Sequence, residues 1–288
     1  MKKHAVNDLT RLLEAIKESD AIVVGAGAGL STAAGLTYGG ERFQRYFADF
    51  IEARRFTDMY SAGFYPFETS EERWAYWSRH IWYNRYVDAP KDTYDKLLRL
   101  LEGKEYFVLT TNVDHRFQLA RFPKERLFCT QGDYGLWQCS VPCHAGTYDN
   151  YETVKRMMEE QRDMRAPSEL VPRCPRCGAE MSMNLRADNT FVEDVGWHDA
   201  ARRYRNFAEA CCQGKVLYLE LGVGMNTPVI IKYPFWQSTL ANHQATYACV
   251  NYGEAHAPVQ IRDRSIVIND DIDAVLTEML SMLGCREA

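Results

Sequence analysis

Three groups of residues in this 288-residue chain have types and spacings suited to chemistry. The first is Gly25-Ala26-Gly27-Ala28-Gly29, directly after the apolar run Ala21-Ile22-Val23-Val24. Without Cβ atoms, such a loop lets the backbone approach a diphosphate, and a helix that follows offers free N–H groups to anionic oxygens. The dinucleotide fingerprint G-x-G-x-x-G is not met, because the sixth position from Gly25 is Leu30 and no clear second strand ends in an acid about 20 residues on. A Walker phosphate loop fails too, since no Lys-Ser/Thr pair follows the glycines. A tight strand–helix turn without a ligand is the competing reading. The second group is Thr110-Thr111-Asn112-Val113-Asp114, also behind an apolar run. Asp114 there also suits a cap for a helix before 117–119. The third is Cys139-x3-Cys143 with Cys174-x2-Cys177, four soft thiolates matched to a closed tetrahedral zinc site. Four free core thiols is the alternative, and His144 is an alternative ligand to Cys143. Cys129, Cys211, Cys212, Cys249 and Cys285 read as ordinary cysteines.

The elements that must position these groups follow from hydrophobic spacing. Residues 7–19 carry Leu9, Leu12, Leu13 and Ile16 at helical intervals, with Asn7 or Asp8 as the expected cap. Short apolar runs at 21–24, 106–109, 127–129, 216–221, 246–250 and 265–268 read as buried parallel strands. Helical patterns lie between or after several of them, the last over 272–283. The implied fold class is α/β, a Rossmann-like open parallel sheet with helices on both faces. Two stretches break the rhythm. Residues 41–100 hold a dense aromatic series, including Phe43, Phe47, Phe50, Trp74 and Trp77, and read as a helical insertion packed by rings. Residues 133–200 have few apolar runs and hold the paired cysteines, as in a small zinc-binding module that a metal holds together. The expected division is therefore 1–40, 101–132 and 201–288 for the sheet domain, with insertions at 41–100 and 133–200.

Composition narrows the partners. The chain is 46% hydrophobic, 25% charged and 12% aromatic, which fits an ordinary soluble globular protein. Its net charge of -5 lacks the electrostatic footprint of a nucleic-acid binder. No apolar run is long enough for a membrane span, and Met1-Lys2-Lys3-His4 leads into no apolar signal core, so a cytoplasmic location is expected. The nine cysteines, with no signal sequence, point to metal before disulfides.

Read from Gly27, the order Gly27-Ala28-Gly29-Leu30-Ser31-Thr32-Ala33-Ala34-Gly35-Leu36 resembles the sirtuin signature Gly-Ala-Gly-x-Ser-x-x-Ser/Ala-Gly-Ile. Thr110-Thr111-Asn112-Val113-Asp114 is similar to that family's Thr-Gln-Asn-Ile-Asp, and Gln131-Gly132 stands where the family has His-Gly. The cysteine pairs follow, and Gly222-Val223-Gly224 and Asn251 fall where the family places its adenosine-site segments. The departures resemble the class M sirtuins, a microbial branch associated with macrodomain proteins and lipoyl-carrier proteins. Thr37-Tyr38-Gly39-Gly40 replaces Pro-Asp-Phe-Arg, Gln131 replaces the catalytic His, and the later glycine segment lacks the usual Thr-Ser.

The resemblance implies NAD as co-substrate, structural Zn2+ on the four cysteines, and cleavage of the nicotinamide–ribose bond through an oxocarbenium-like transition state. It places Asn112 by the ribose and Asp114 on the nicotinamide carboxamide. Ser31, with the amides of Ala28 and Gly29, is expected to face the ADP diphosphate and ribose. Asn226-Thr227-Pro228 offers free helix-start amides to a phosphate, or is simply a well-capped helix. Asn251 contacts the adenine-side ribose or forms a strand-end turn. Tyr38 covers the nicotinamide or packs. Gln131 decides the reaction class: a histidine can take a proton from a ribose hydroxyl near neutral pH, whereas a glutamine amide only positions groups. Transfer of ADP-ribose needs only an external nucleophile, and an ionised carboxylate needs no base. The expected activity is thus transfer to a protein side chain, with a lipoyl-carrier (glycine cleavage H-like) protein as acceptor and a macrodomain hydrolase as functional partner. One alternative is a lysine deacylase whose missing base comes from His115 or His144. Another is a non-catalytic NAD or ADP-ribose sensor.

Overall fold

Nine strands and their helices are defined in a computed structural model that describes residues 3–225 and 228–284. The strands are β1 (Ala21–Ala26), β2 (Tyr106–Thr110), β3 (Leu127–Cys129), β4 (Gly132–Cys139), β5 (Thr147–Asp149), β6 (Met181–Leu185), β7 (Val216–Leu221), β8 (Thr246–Val250) and β9 (Ser265–Ile268). All six expected apolar runs are strands. They form one parallel sheet in the order β3-β2-β1-β7-β8-β9.

Every residue of β1, β2 and β7 is buried, as strands covered on both faces require. Alternation along each strand divides the core. Ile22, Val24, Val108, Leu217, Leu219 and Ile266 meet Leu12, Leu97 and Leu276 of the helices Lys3–Glu18, Thr93–Leu100 and Ile272–Met282. Val23, Phe107, Tyr218 and Tyr247 meet Phe207 and Phe235 of the helices Val195–Cys211 and Lys232–Ala241 on the other face. Burying each such large apolar side chain stabilises the fold by ~1.5–3 kcal/mol before entropy is counted. The first helix begins at Lys3, so Asn7 and Asp8 lie inside it and cap nothing. Asp8 instead pairs with Arg11 one turn on, at 3.0 Å.

The two irregular stretches share one core. Phe43, Phe47, Phe50, Trp74 and Tyr76 from the helices Gly40–Arg54 and Ser70–Ile81 pack with Tyr134, Trp137, Val154, Met157, Met181 and Met183. The latter group comes from the helix Tyr151–Glu160 and a three-stranded antiparallel sheet in the order β5-β4-β6. Instead of two separate modules, the molecule has a second lobe built from both insertions. The helix Thr93–Leu100 falls outside it, because Leu97 and Leu100 face the parallel sheet.

A candidate nucleotide site at the carboxyl edge of the sheet

The strand order reverses between β1 and β7, where the chain leaves the centre of the sheet in opposite directions. In open α/β sheets, that switch point opens a ligand crevice at the carboxyl ends of the strands. The sequence-selected segments all emerge from this edge. Residues 27–31 follow β1, residues 111–114 follow β2, Gln131 follows β3, residues 222–224 follow β7, and Asn251 follows β8. Ala26 and Leu221 are register partners, so the two glycine segments start side by side. Gly222 has φ +62, and a Cβ there would lie 2.5 Å from the Leu30 nitrogen and 2.6 Å from the Gly29 Cα. Only glycine allows this approach.

At the switch point lies a buried polar network. Asn112 Nδ2 donates to the Gly27 carbonyl at 2.9 Å, with Ser31 Oγ at 3.1 Å and Tyr94 OH at 3.3 Å. Ser31 Oγ donates to Asp114 Oδ2 at 2.5 Å and lies 2.9 Å from Tyr94 OH. The other Asp114 oxygen accepts from the Arg116 amide at 3.2 Å, ahead of the short helix Arg116–Leu119. Asp114 thus joins the network and also holds the Arg116 amide, one residue ahead of the N-cap residue His115. Burial raises its carboxyl above the usual range, opposed by the Ser31 hydrogen bond and the Arg116 charge.

The glycine loop is closed by its own contacts. The Gly29 amide donates to the Gly222 carbonyl at 2.9 Å. Ser31 points into the Asn112–Asp114 network because the helix Ala28–Ala33 starts at once and turns its third residue toward β2. Ala28 opens that helix, and the Gly35 amide donates a hydrogen bond to the Thr32 carbonyl at 2.9 Å just past its far end. The Thr111 amide holds Ala26 O at 3.1 Å. Val223 is buried, Gly224 lies near Glu254, and Asn251 Nδ2 reaches the Val223 carbonyl at 3.3 Å, tying the two adenosine-side segments together. Asn226 and Thr227 lie outside the described residues.

Gln131 sits in the turn between β3 and β4, and its carbonyl accepts from the Arg186 amide at 3.0 Å. The segment is fixed by Gly132, with φ +100, where a Cβ would lie 1.8 Å from the Asn184 carbonyl. The Tyr134 amide then donates to Val113 O at 2.8 Å, so the segments of Gln131 and Asp114 run together. Tyr38 OH meets Tyr134 OH at 2.8 Å, and Tyr134 OH meets His80 Nε2 at 2.9 Å. Burial pushes the Tyr38 hydroxyl up to about 12 and the His80 imidazole down to about 3, so both are neutral. Single-sequence reasoning missed Tyr94, His80, Tyr134, Arg85 and Asp133; each is a lone polar residue far along the chain from its partners.

In the second lobe, the four thiol sulfurs of Cys139, Cys143, Cys174 and Cys177 all lie within 4.8 Å of one another. Two of the pairs are 3.5 and 3.6 Å apart. A tetrahedral zinc with Zn–S bonds of about 2.3 Å places its sulfurs about 3.8 Å apart, so the donor set fits that ion. The first pair has three intervening residues against two in the second, and the cluster stays closed all the same. His144 stands beside it, Nδ1 3.1 Å from Cys143 Sγ and Nε2 2.7 Å from Tyr148 OH. Among the described residues, no helix is long and apolar enough to cross a membrane.

A Rossmann-type switch point at the carboxyl edge of the sheet, a second lobe carried on two insertions and a four-cysteine cluster define a sirtuin-type architecture. Solved structures agree on the fold. A Sir2 with a p53 peptide and NAD+ superposes with TM-score 0.58 at 18% identity, covering 96% of this chain and 99% of that one. Sir2Tm bound to a propionylated peptide gives 0.58 at 19%, with the same coverage. No protein-family model matches the chain. A protein ADP-ribosyltransferase of Staphylococcus aureus (strain Mu50 / ATCC 700699) is 44% identical over 271 residues, 93% of this chain and 86% of that protein. A probable bifunctional ADP-ribose hydrolase/ADP-ribosyltransferase of Fusarium oxysporum f. sp. cubense is 32% identical over 236 residues, 77% of this chain and 38% of that longer protein. The chain has the sirtuin fold and belongs to a family of protein ADP-ribosyltransferases.

Proposed function

We propose that the protein transfers ADP-ribose from NAD to a protein side chain and releases nicotinamide. The observation that carries this reading is the buried Asn112–Ser31–Asp114–Tyr94 network at the switch point. Rigid polar groups held away from water suit the stabilisation of charge that develops as the nicotinamide–ribose bond breaks. In this reading Asn112 serves the ribose, Asp114 the nicotinamide carboxamide, and Gln131 orients groups without accepting a proton. Gly27, Ala28, Gly29, Gly35, Thr111, Gly222, Val223, Gly224, Asn226 and Asn251 frame the nucleotide by their backbone or side chains, and Tyr38 bounds the nicotinamide side.

An amide at position 131 favours transfer over deacylation, since loss of a general base costs about 10²–10⁴-fold. The named activity of the Staphylococcus relative supports the same choice. Zinc on the four cysteines acts structurally, with no open ligand position. The Fusarium relative, whose name joins an ADP-ribose hydrolase to a transferase, supports a macrodomain-type hydrolase as the functional partner. We further propose a lipoyl-carrier protein as acceptor and a cytoplasmic location, with residues 1–40, 101–132 and 201–288, joined by the helix Thr93–Leu100, as the nucleotide-binding unit and the rest of 41–100 and 133–200 inserted into it.

The test uses NAD labelled on its adenylate half, incubated with the protein and a lysate of its source organism. Protein-bound label is expected, lost in Asn112→Ala while the melting temperature falls by only a few degrees. Free O-acyl-ADP-ribose as the main product would mean deacylation. Untouched NAD that nevertheless binds would mean a sensor.

A further inference from the structure

A second polar cluster flanks the site and has no part in the reading above. His115 directly follows Asp114 and adopts a left-handed conformation, φ 63 and ψ 14, one of five non-glycine residues with positive φ among the described residues. Such a conformation persists where the surroundings over-determine it, and it clusters at functional sites. In this conformation the imidazole meets Asp133 on β4. His115 Nδ1 donates to Asp133 Oδ2 at 2.5 Å. The other Asp133 oxygen accepts from Arg85 Nε at 2.9 Å and the Gly135 amide at 2.7 Å. Arg85 lies on a single π-helical turn, Trp82–Tyr86, of a kind often found at functional sites. That turn is pinned to the site by Arg116, whose guanidinium donates to the carbonyls of Asn84 at 2.7 Å and Val87 at 2.6 Å.

The result is an imidazole locked in one orientation by a carboxylate that is itself locked by an arginine. Burial alone would raise the Asp133 carboxyl, but the His115 hydrogen bond and the Arg85 charge hold it below the usual range, so it is ionised. In the neutral tautomer that gives Nδ1–H to Asp133, Nε2 carries the free lone pair. Among the described residues Nε2 makes no hydrogen bond, and the side chain is 28% exposed. This is the arrangement by which a carboxylate orients a histidine base and balances the imidazolium that forms. His144 cannot serve so, because its two nitrogens face Cys143 and Tyr148 in the cysteine cluster. His80 is buried with Nε2 on Tyr134.

We propose that the His115–Asp133 pair is the proton acceptor for the incoming nucleophile, extending the acceptor class from carboxylates to proton-bearing groups such as a hydroxyl, a thiol or water. This rests on the transfer reading. The nucleophile's oxygen or sulfur forms a bond to the ribose C1′ as the C1′–nitrogen bond breaks, with that electron pair leaving on neutral nicotinamide. The nucleophile's proton passes to His115 Nε2.

The test compares nicotinamide release from NAD in water, in methanol and with azide, for the wild type and His115→Asn. Asparagine tolerates the left-handed conformation, and its amide N–H can replace Nδ1–H toward Asp133 without supplying a base. His115→Gly serves as a second variant that also keeps the backbone. Release in water and methanol should fall about 10²–10⁴-fold at unchanged melting temperature. Azide, which carries no proton to remove, should restore release to within about tenfold of the wild-type azide rate. Unchanged release in water, or an equal loss in water and azide, overturns the proposal. So does O-acyl-ADP-ribose formation from an acyl-lysine peptide that His115→Asn abolishes, since the imidazole would then serve a ribose hydroxyl. A wild type that releases no nicotinamide with any nucleophile overturns the transfer reading itself, and this proposal with it.

Discussion

Replacing Lys232 by methionine tests whether one buried ion pair fixes the adenosine-side loop. Lys232 Nζ lies 2.5 Å from Glu220 Oε1, and the two side chains are 1% and 0% exposed. Tyr247 OH donates to the other carboxylate oxygen at 2.7 Å, and the Cys249 thiol reaches Oε1 at 3.4 Å. The pair brackets the chain from the end of β7 to the start of the helix Lys232–Ala241, with Gly222-Val223-Gly224 between. Removing the ammonium leaves the Glu220 charge buried with only neutral donors, a situation that costs about 3–5 kcal/mol. In a chain of this size, each kcal/mol corresponds to about 2–4 °C, so Lys232→Met should melt about 6–20 °C below wild type. Adding Glu220→Gln removes the stranded charge while keeping an oxygen for Tyr247. The double variant should therefore recover about 2–3 kcal/mol, as a coupling between contacting residues requires. Urea unfolding followed by far-ultraviolet circular dichroism measures all three. A double variant as unstable as Lys232→Met would refute the reasoning, because the cost would then be lost packing rather than an unpaired charge.

Cys177→Ala should release the metal and unfold the second lobe, read as loss of zinc by elemental analysis together with loss of near-ultraviolet ellipticity from its aromatic core; native-like ellipticity in metal-free protein would refute a structural role. Asp114 gives a pH-dependent stability of known sign. Its folded carboxyl is raised above the ordinary 3.8, so the stability it contributes is full below that value and is lost as pH rises through the folded one. Asp114→Asn should accordingly gain stability relative to wild type between about pH 4 and neutrality, although transfer is lost; a stability difference that stays flat across that range would argue against burial as the cause.

The sheet was legible because its strands are short, mostly apolar runs, and burial of β1, β2 and β7 on both faces favours apolar residues there. The second lobe was legible only in part. The aromatic spacing of Phe43, Phe47 and Phe50 indicated helices, but β4, β5 and β6 interleave polar residues such as Asp133, Gln138 and Asn184 that bond across the lobe, and no periodic signal marks them. At the site, Asn112, Asp114 and Ser31 were accessible through local motifs. The direction of Ser31 was not, because it depends on Tyr94 and Asp114, and the use of the Gly29 amide depends on Gly222, nearly 200 residues away. The pairing of His115 with Asp133 was hidden similarly, since neither residue belongs to a motif and only the meeting of two loops joins them.

The shared core of the second lobe has a consequence for synthesis. Its helices between residues 40 and 81 leave the ribosome well before their packing partners between 132 and 185 have been translated. At about 5–20 residues per second, this aromatic surface waits for several seconds without its partner. During that interval β1 and β2 are already available to pair, while β7, β8 and β9 are still to come. The nascent chain therefore holds two half-built cores at once, and both close only after the cysteine segment emerges. Limiting zinc during expression should then show itself as aggregation of newly made chains more than as inactivation of finished ones.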